Sequence, residues 1–499
     1  MKNNQTNTNV KHSWQVFTPN YLVDTILDTC GYSWTNILKK HVIDNSCGAG
    51  AFVCAFVKRY IEEFQKNSNN KQELQDELSQ YIHGIELEDY AYEQCIHNLN
   101  QIAQEYSLWE INWNILHDDT LNNKDFIGKM DFVIGNPPYV RVHNLEQSYT
   151  AVKQYKFADW WMTDLYLVFF EVWFQMLNKN GRLCYITPSS WLNSVAALNM
   201  RKYLYEHKNI VSITDLGHFQ PFEWITTYTQ ITYCDKSVYN ECFNFYVFKG
   251  DEKKSILIDT ISYNDILIWN EFYLSDCQTL SMIKQIRETK TPRFVSVKNG
   301  FATLQDQYFI QDDFPFQEFV IPVIKWSTSK RRKAYFPYDR NWKPLPKELI
   351  FSYEWVAAYL QKYKKLLLKG KSEWENSQWY LYWRTQALKD VFVDKISINT
   401  LLIDTQSIKI NKVPAWSGVY SWLYIITDFP FNVIESLIKN DAFVKYIKAL
   451  KKYKSWGYYC FNTKDVELFL NYMIFQDEKL THWLPSNKYG ISPCNSKLF

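Results

Sequence analysis

HVIDNSCGAGAFVCAFVKRYIEEF, residues 41–64, passes from strand to loop to helix in one short reach. His41–Asp44 is a short apolar run suited to a buried strand, and Val53–Phe64 carries apolar residues at helical spacing. Between them lie small residues with two glycines, Gly48 and Gly50, which let backbone approach a ligand closely while the following helix offers its N-terminus. No third glycine stands at dinucleotide spacing and no Lys-Ser/Thr follows, so the expected ligand is not a di- or triphosphate.

The same alternation continues outward. Residues 66–80 are polar and low in complexity and read as a surface insertion. YIHGIEL (81–87) is a second strand and residues 88–106 a helix; NWNIL (112–116) and DFVIG (131–135) are further strands, followed by a helix at 164–177 and a strand at 181–188. Strands alternating with helices imply an α/β fold with a doubly wound, mostly parallel sheet and right-handed crossovers. Ligands of such sheets bind beyond the carboxyl ends of the strands, where strand order reverses. Glu86, at the end of the second strand, can accept hydrogen bonds from both ribose hydroxyls of a nucleoside. Asp119, or its neighbour Asp118, stands where a third loop would meet the adenine of that nucleoside.

After the fourth strand comes Asn136-Pro137-Pro138-Tyr139. Pro137 excludes helical conformation at Asn136 and the two proline rings stiffen the loop before any ligand arrives. The Asn136 amide and the Pro137 carbonyl offer two acceptors, and Tyr139 a flat face. An amino group on a planar ring needs that set: its two hydrogens find acceptors, its nitrogen lone pair is localised, and the ring has a surface to stack on.

The remaining numbers set the context. A chain of 499 residues divides most simply into two domains of roughly 250 residues, and the pattern changes around Gly250–Lys254, where a boundary is placed. Lys+Arg against Asp+Glu is 20 against 27 (−7) for residues 1–250 and 35 against 26 (+9) for 251–499. A basic second half suits a polyanion; its candidate phosphate contacts are Lys325, Lys330, Arg331 and Arg332 beside Trp326, and its candidate base readers Arg384 and Gln386. Aromatic residues make up 18% of the chain, more than a core alone requires. The cysteines show no zinc spacing, and no metal is expected. With no apolar run of about 18 residues and no charged-then-apolar leader, no membrane contact and a cytoplasmic location are expected.

Glu86, the Gly48-x-Gly50 loop and Asn136–Tyr139, in this order, together with QVFTP (15–19) ahead of them, resemble the gamma-class adenine DNA methyltransferases of restriction-modification systems. GRLCYITPSSWL (181–192) and FEWITTYTQI (222–231) resemble later motifs of that family, and NGFATLQDQYFI (299–310) and KSWGYYCF (454–461) do so more loosely. The resemblance implies a Rossmann-like catalytic domain over 12–250, after a disordered tail at 1–11, and a mixed α+β target-recognition domain over 251–499. It implies S-adenosyl-L-methionine as cofactor: Thr18, Asp44, Cys47, Gly48, Gly50 and Phe52 at its methionine portion, Glu86 at the ribose, Asp119 at the adenine. Asn136, Pro137, Pro138 and Tyr139 would hold a flipped target adenine, with Phe222 as a second stacking face and Phe219 and Tyr228 as competitors for that place. Asn45 stands where the family often has proline. Double-stranded DNA is the implied partner, a cognate endonuclease would act separately, and a monomer is expected. An RNA or protein-glutamine methyltransferase using the same pocket is the alternative.

Overall fold

The structure is a computed structural model and describes residues 18–142, 149–158, 163–222, 227–325, 330–368, 378–382, 384 and 386–482. The expected tail at 1–11 lies outside these residues. The chain forms two compact units that divide between Ser281 and Met282.

The first unit is built on a nine-stranded sheet. Its strands are β1 (Val42–Asp44), β2 (Ile82–Glu86), β3 (Asn114–His117), β4 (Met130–Gly135), β5 (Leu177–Pro188), β6 (Ile210–Asp215), β7 (Thr229–Asp235), β8 (Cys242–Lys249) and β9 (Lys254–Ser262). Their order is β3-β2-β1-β4-β5-β7-β6-β8-β9. The first five strands of that order are parallel, which is the α/β arrangement expected, whereas β7 runs antiparallel between β5 and β6. β8 and β9 carry the sheet past Gly250, so the first unit extends beyond the boundary read from the sequence.

Helices α1 (Asn20–Thr29), α2 (Ala51–Gln65), α3 (Lys71–Tyr81) and α4 (Asp89–Glu105) precede β3. Leu22, Ile26, Phe52, Phe56 and Leu99 from this group share one core with Phe132, Ile134, Cys184 and Ile186 of the sheet. α3 lies in the stretch read as a surface insertion. Asn70 caps it by accepting from the Glu73 N–H at 3.2 Å, and Leu74 and Leu78, one turn apart, are buried. A single leucine pair among so many polar residues is too weak a period to announce a helix. After a short α5 (Tyr149–Val152) comes α6 (Leu165–Met176), apolar around its circumference and buried accordingly.

The second unit is α+β. Val295–Asn299, Leu423–Thr427, Lys395–Ile398 and Ile410–Val413 form an antiparallel sheet; Ile310–Gln311, Lys330–Tyr335, Val320–Lys325 and Gly418–Val419 form a mixed one, in which Gly418–Val419 runs parallel to Val320–Lys325. Phe309, Phe314, Phe316, Tyr335, Phe336, Tyr338 and Tyr382 lie in one buried cluster. Much of the aromatic excess is therefore core. Helix Thr463–Gln476 starts at a reciprocal cap between Asn462 and Asp465, and the buried Asp465 carboxylate also meets Arg287 (3.3 Å) and Lys452 (2.6 Å), so that charge is compensated where it is buried. Among the described residues no helix is long and apolar enough to cross a membrane, and no group of three or more His, Cys, Asp or Glu side chains could hold a metal ion.

Candidate active site at the carboxyl ends of the central strands

Strand order reverses between β1 and β4, so the loops that leave these two strands share the crevice where such sheets bind ligands. They meet directly. A Cβ added at Gly135 would fall 2.5 Å from Asp44 Oδ1, so only glycine lets β4 end beside that carboxylate. Asp44 is buried at 2% exposure and accepts from the Ser46 N–H at 3.1 Å. Burial pushes its carboxyl up to about 8; the Ser46 bond opposes that rise and the charge of Glu86 adds to it.

The glycine loop is held open by its own backbone. Gly50 takes φ 89° as the residue before α2, and a side chain there would meet Cys95 Sγ at 2.8 Å. Gly48, at φ 53°, has nothing within 4 Å of an added Cβ, so its outer side faces open space. The Gly48 N–H donates to Glu86 Oε2 at 2.7 Å and the Glu88 N–H to Oε1 at 2.9 Å. Cys47 is buried; its hydrogen bond with Cys95 and its burial hold the thiol well above the usual range, which leaves it neutral. Phe52 packs into the core shared by α1, α2 and α4. Asn45 has a structural task that proline could not perform: its Oδ1 accepts from Trp173 Nε1 (3.1 Å) and from the Tyr185 hydroxyl, tying the loop to α6 and β5.

Beyond β3, Asp119 accepts from the Leu121 N–H (2.9 Å) and from Asn122 Nδ2 (2.8 Å), while Asp118 accepts from the Asp119 N–H (2.8 Å) and Asn123 Nδ2 (2.9 Å). Both carboxylates shape this loop. Asp119 is the half-buried one and Asp118 the exposed one.

The Asn136 loop differs in one respect. Asn136 Nδ2 donates to the hydroxyl of buried Thr18 at 3.2 Å, but Asn136 Oδ1 is buried and, among the described residues, has no hydrogen-bond partner. Ser46 Oγ donates to the Asn136 carbonyl at 3.4 Å, a link between the two loops that spacing in the sequence does not reveal. Pro137 is buried and Pro138 half-buried. The Tyr139 hydroxyl donates to the Ile186 carbonyl at 3.1 Å, and burial holds its pKa well above the ordinary phenol value. Phe222 sits edge-on to Tyr139, with ring centroids 6.3 Å apart and planes at 74°. Phe219 is taken up elsewhere, packing on Tyr21 and Phe248 and filling the space a side chain at Gly250 would need; Tyr228 contacts His218 edge-on. Thr18, Asp44, Gly48, Gly50, Glu86, Asn136 and Tyr139 thus converge on one end of the sheet.

This end of the sheet lies within a recognisable family segment. Residues 32–222 match the model of the Eco57I restriction-modification methylases. The chain is 31% identical over 239 residues to the Type II methyltransferase M.BstVI of Geobacillus stearothermophilus, covering 44% of this chain and 42% of that protein. It is 25% identical over 550 aligned positions to the Type II restriction enzyme and methyltransferase RM.Eco57I of Escherichia coli, covering 88% and 54%. The chain spans about half the length of these curated relatives. Among solved structures, the Type IIL restriction-modification enzyme MmeI in complex with DNA superposes with a TM-score of 0.57 at 14% identity, over 82% of this chain and 59% of that one, a likeness of fold. Of the residues that converge on this end of the sheet, the matched segment contains all but Thr18.

In the second unit, the side chains of Lys325, Lys330 and Arg331, and Trp326 altogether, lie outside the described residues. Arg332 pairs with Asp312 at 2.7 Å, and Gln386 Nε2 donates to the Gly300 carbonyl at 2.7 Å. Arg384 is exposed.

Proposed function

We propose that this chain is a site-specific DNA methyltransferase that methylates the exocyclic amino nitrogen of adenine in double-stranded DNA. The observation that carries the proposal is the buried, unpartnered Asn136 Oδ1, because a buried acceptor without a donor is costly unless a ligand supplies one. The amino group of a flipped base is such a donor.

The residues present fit S-adenosyl-L-methionine. Gly48 opens onto free space, Gly50 and Gly135 leave room that any side chain would fill, and Asp44 offers a buried carboxyl to a cationic ligand. Glu86 spends one lone pair of each oxygen on backbone N–H groups and keeps others for ribose hydroxyls. When bound, the cofactor supplies a methyl group on a positively charged sulfur.

Asn136 Oδ1 and the Pro137 carbonyl would accept the two amino hydrogens of the target, localising the nitrogen lone pair. As the amino nitrogen took the methyl group, with the carbon–sulfur pair staying on sulfur, Asn136 Oδ1 and the Pro137 carbonyl would face the positive charge developing on that nitrogen, and the surplus proton would leave to water. Holding the two reactants in contact supplies much of the remaining rate. A base inside a duplex cannot reach this crevice, so it must be flipped out, against a few kcal/mol of stacking. A base sandwiched by two rings needs them parallel and roughly 7 Å apart, twice the contact distance of about 3.5 Å. Tyr139 and Phe222 are edge-on, so Phe222 must turn to become the second face.

The test is incubation of the purified chain with unmethylated plasmid and cofactor, followed by modification-aware sequencing. Adenine methylated at high occupancy within one motif is the expected result. Methyl transfer confined to cytosine, RNA or protein glutamine would sink the proposal.

A further inference from the structure

We infer that the hairpin Tyr338–Pro344 of the second unit, with Trp416 beside it, is a finger that enters a groove of duplex DNA. The inference rests on the methyltransferase reading and adds to it the element that touches DNA.

The hairpin tip is Arg340-Asn341-Trp342-Lys343, and all four residues are exposed, Trp342 at 54%. Trp342 turns a large aromatic outward on a backbone at φ 55°, whereas most aromatics of this unit fill the core and Trp355, Trp416 and Trp456 share its exposure. The tip is nonetheless stiff. The Asp339 N–H donates to the Lys343 carbonyl and the Trp342 N–H to the Asp339 carbonyl, both at 2.9 Å, and Asp339 Oδ1 accepts from the N–H groups of Asn341 (2.8 Å) and Lys343 (2.9 Å). Its base is anchored through buried Tyr338, whose hydroxyl accepts from the Tyr382 N–H at 2.9 Å, two residues before exposed Arg384.

Arg340 lies over the Trp416 ring, 5.1 Å from its centre. Trp416 is 48% exposed and held by its own N–H to the Val391 carbonyl at 2.7 Å and by Phe392 edge-on at 4.9 Å. Among the described residues no carboxylate pairs with Arg340, whereas Arg332 and Lys333 are each bound by an aspartate. The one acid of the tip, Asp339, is occupied with backbone. What the finger presents is a guanidinium, an amide, an indole and an ammonium, with no exposed negative charge.

That set matches duplex DNA better than a protein surface. The major groove admits a two-stranded ribbon, a guanidinium pairs with the guanine edge, an amide with the adenine edge, and lysine with phosphate. An exposed indole can stack on or wedge between bases. The +9 charge of residues 251–499 (35 against 26) points the same way.

The experiment uses the full chain and its Trp342→Ala, Arg340→Ala and Trp342→Phe variants. Three quantities are measured: anisotropy of a labelled duplex of mixed sequence, calorimetric cofactor binding, and the methylated motif by sequencing. Trp342→Ala and Arg340→Ala should each weaken duplex binding about tenfold with cofactor affinity unchanged, Trp342→Phe should recover part of the loss, and Arg340→Ala should tolerate another base at one position of the motif. Unchanged duplex affinity and an unchanged motif in both alanine variants overturn the finger while the parent's methylation stands. A parent that methylates no DNA overturns the methyltransferase reading itself. Exposed positions leave the fold intact, which thermal unfolding verifies.

Discussion

The two loops that meet at the end of the sheet are built on opposite plans. The loop from Asp44 to Gly50 relies on glycines in left-handed conformation and is closed by protein: Glu86 takes two backbone N–H groups, Asn45 takes Trp173 and Tyr185, and Asn98 donates to the Ala49 carbonyl. The Asn136–Tyr139 loop relies on two prolines and leaves Asn136 Oδ1 buried and unmatched. A flexible backbone was made rigid by hydrogen bonds in the first. A backbone rigid from its covalent structure could afford a missing hydrogen bond in the second. The difference teaches that the first loop is a finished receptor, while the second waits for a donor.

The strongest way to break this contrast is Asn136→Ala, which removes the waiting acceptor. Methyl transfer should fall by about 10²–10³ or more, with cofactor affinity changed by no more than about threefold. Single-turnover rates and calorimetry check it, and a near-parental rate would mean the unmatched oxygen is not functional. Gly50→Ala attacks the other plan. A Cβ at φ 89° and 2.8 Å from Cys95 Sγ should lower stability by about 2 kcal/mol and weaken cofactor binding; a parental melting temperature and affinity would show the loop to be more pliant than drawn.

Asp44 sharpens the comparison through pH. Its carboxyl is raised to about 8, so it is mostly protonated at pH 7 in the ligand-free protein. The sign follows: the stabilisation this neutral group allows is complete below the ordinary carboxylate pKa and is lost as pH rises through about 8. A cationic ligand that requires the carboxylate should bind more tightly as pH rises, approaching tenfold per pH unit below about 8, with proton release in calorimetry. Asp44→Asn should abolish that dependence, and a pH-independent affinity in the parent would refute the assignment. The smallest expected effect is that of Tyr139→Phe. Losing the bond to the Ile186 carbonyl should lower activity about threefold, within the ~0.5–1.5 kcal/mol of one hydrogen bond, and retain base flipping as seen with a fluorescent adenine analogue.

Much of the site was legible because each part is local. A strand, two glycines and a helix from 41 to 64, an acid at the end of the next strand, and Asn-Pro-Pro-Tyr after the fourth are adjacent in the chain, and short-range sterics dictate their conformation. The helix Lys71–Tyr81 was hidden by its polarity, and the continuation of the sheet through β8 and β9 by the charged turn between them at Gly250–Lys253. The second unit was least legible. Arg332 reads as a phosphate contact in a basic run, and only the fold shows its pairing with Asp312, twenty positions away, whereas Arg340 and Trp342 carry no motif and are exposed at a hairpin tip that the sequence does not announce.

Sequence by itself determined which conformations the loops can hold and which chemical groups they offer, since glycine, proline and the spacing of apolar residues act over a few positions. Tertiary structure alone decided that β7 runs antiparallel, that Gly135 lies against Asp44, that Ser46 and Thr18 hold Asn136, and that its Oδ1 is left without a donor. The reason is physical: a residue's identity states what bonds it can make, but whether a bond is made depends on which atoms the fold brings within about 3 Å, and water's exclusion from that place sets what an unmade bond is worth.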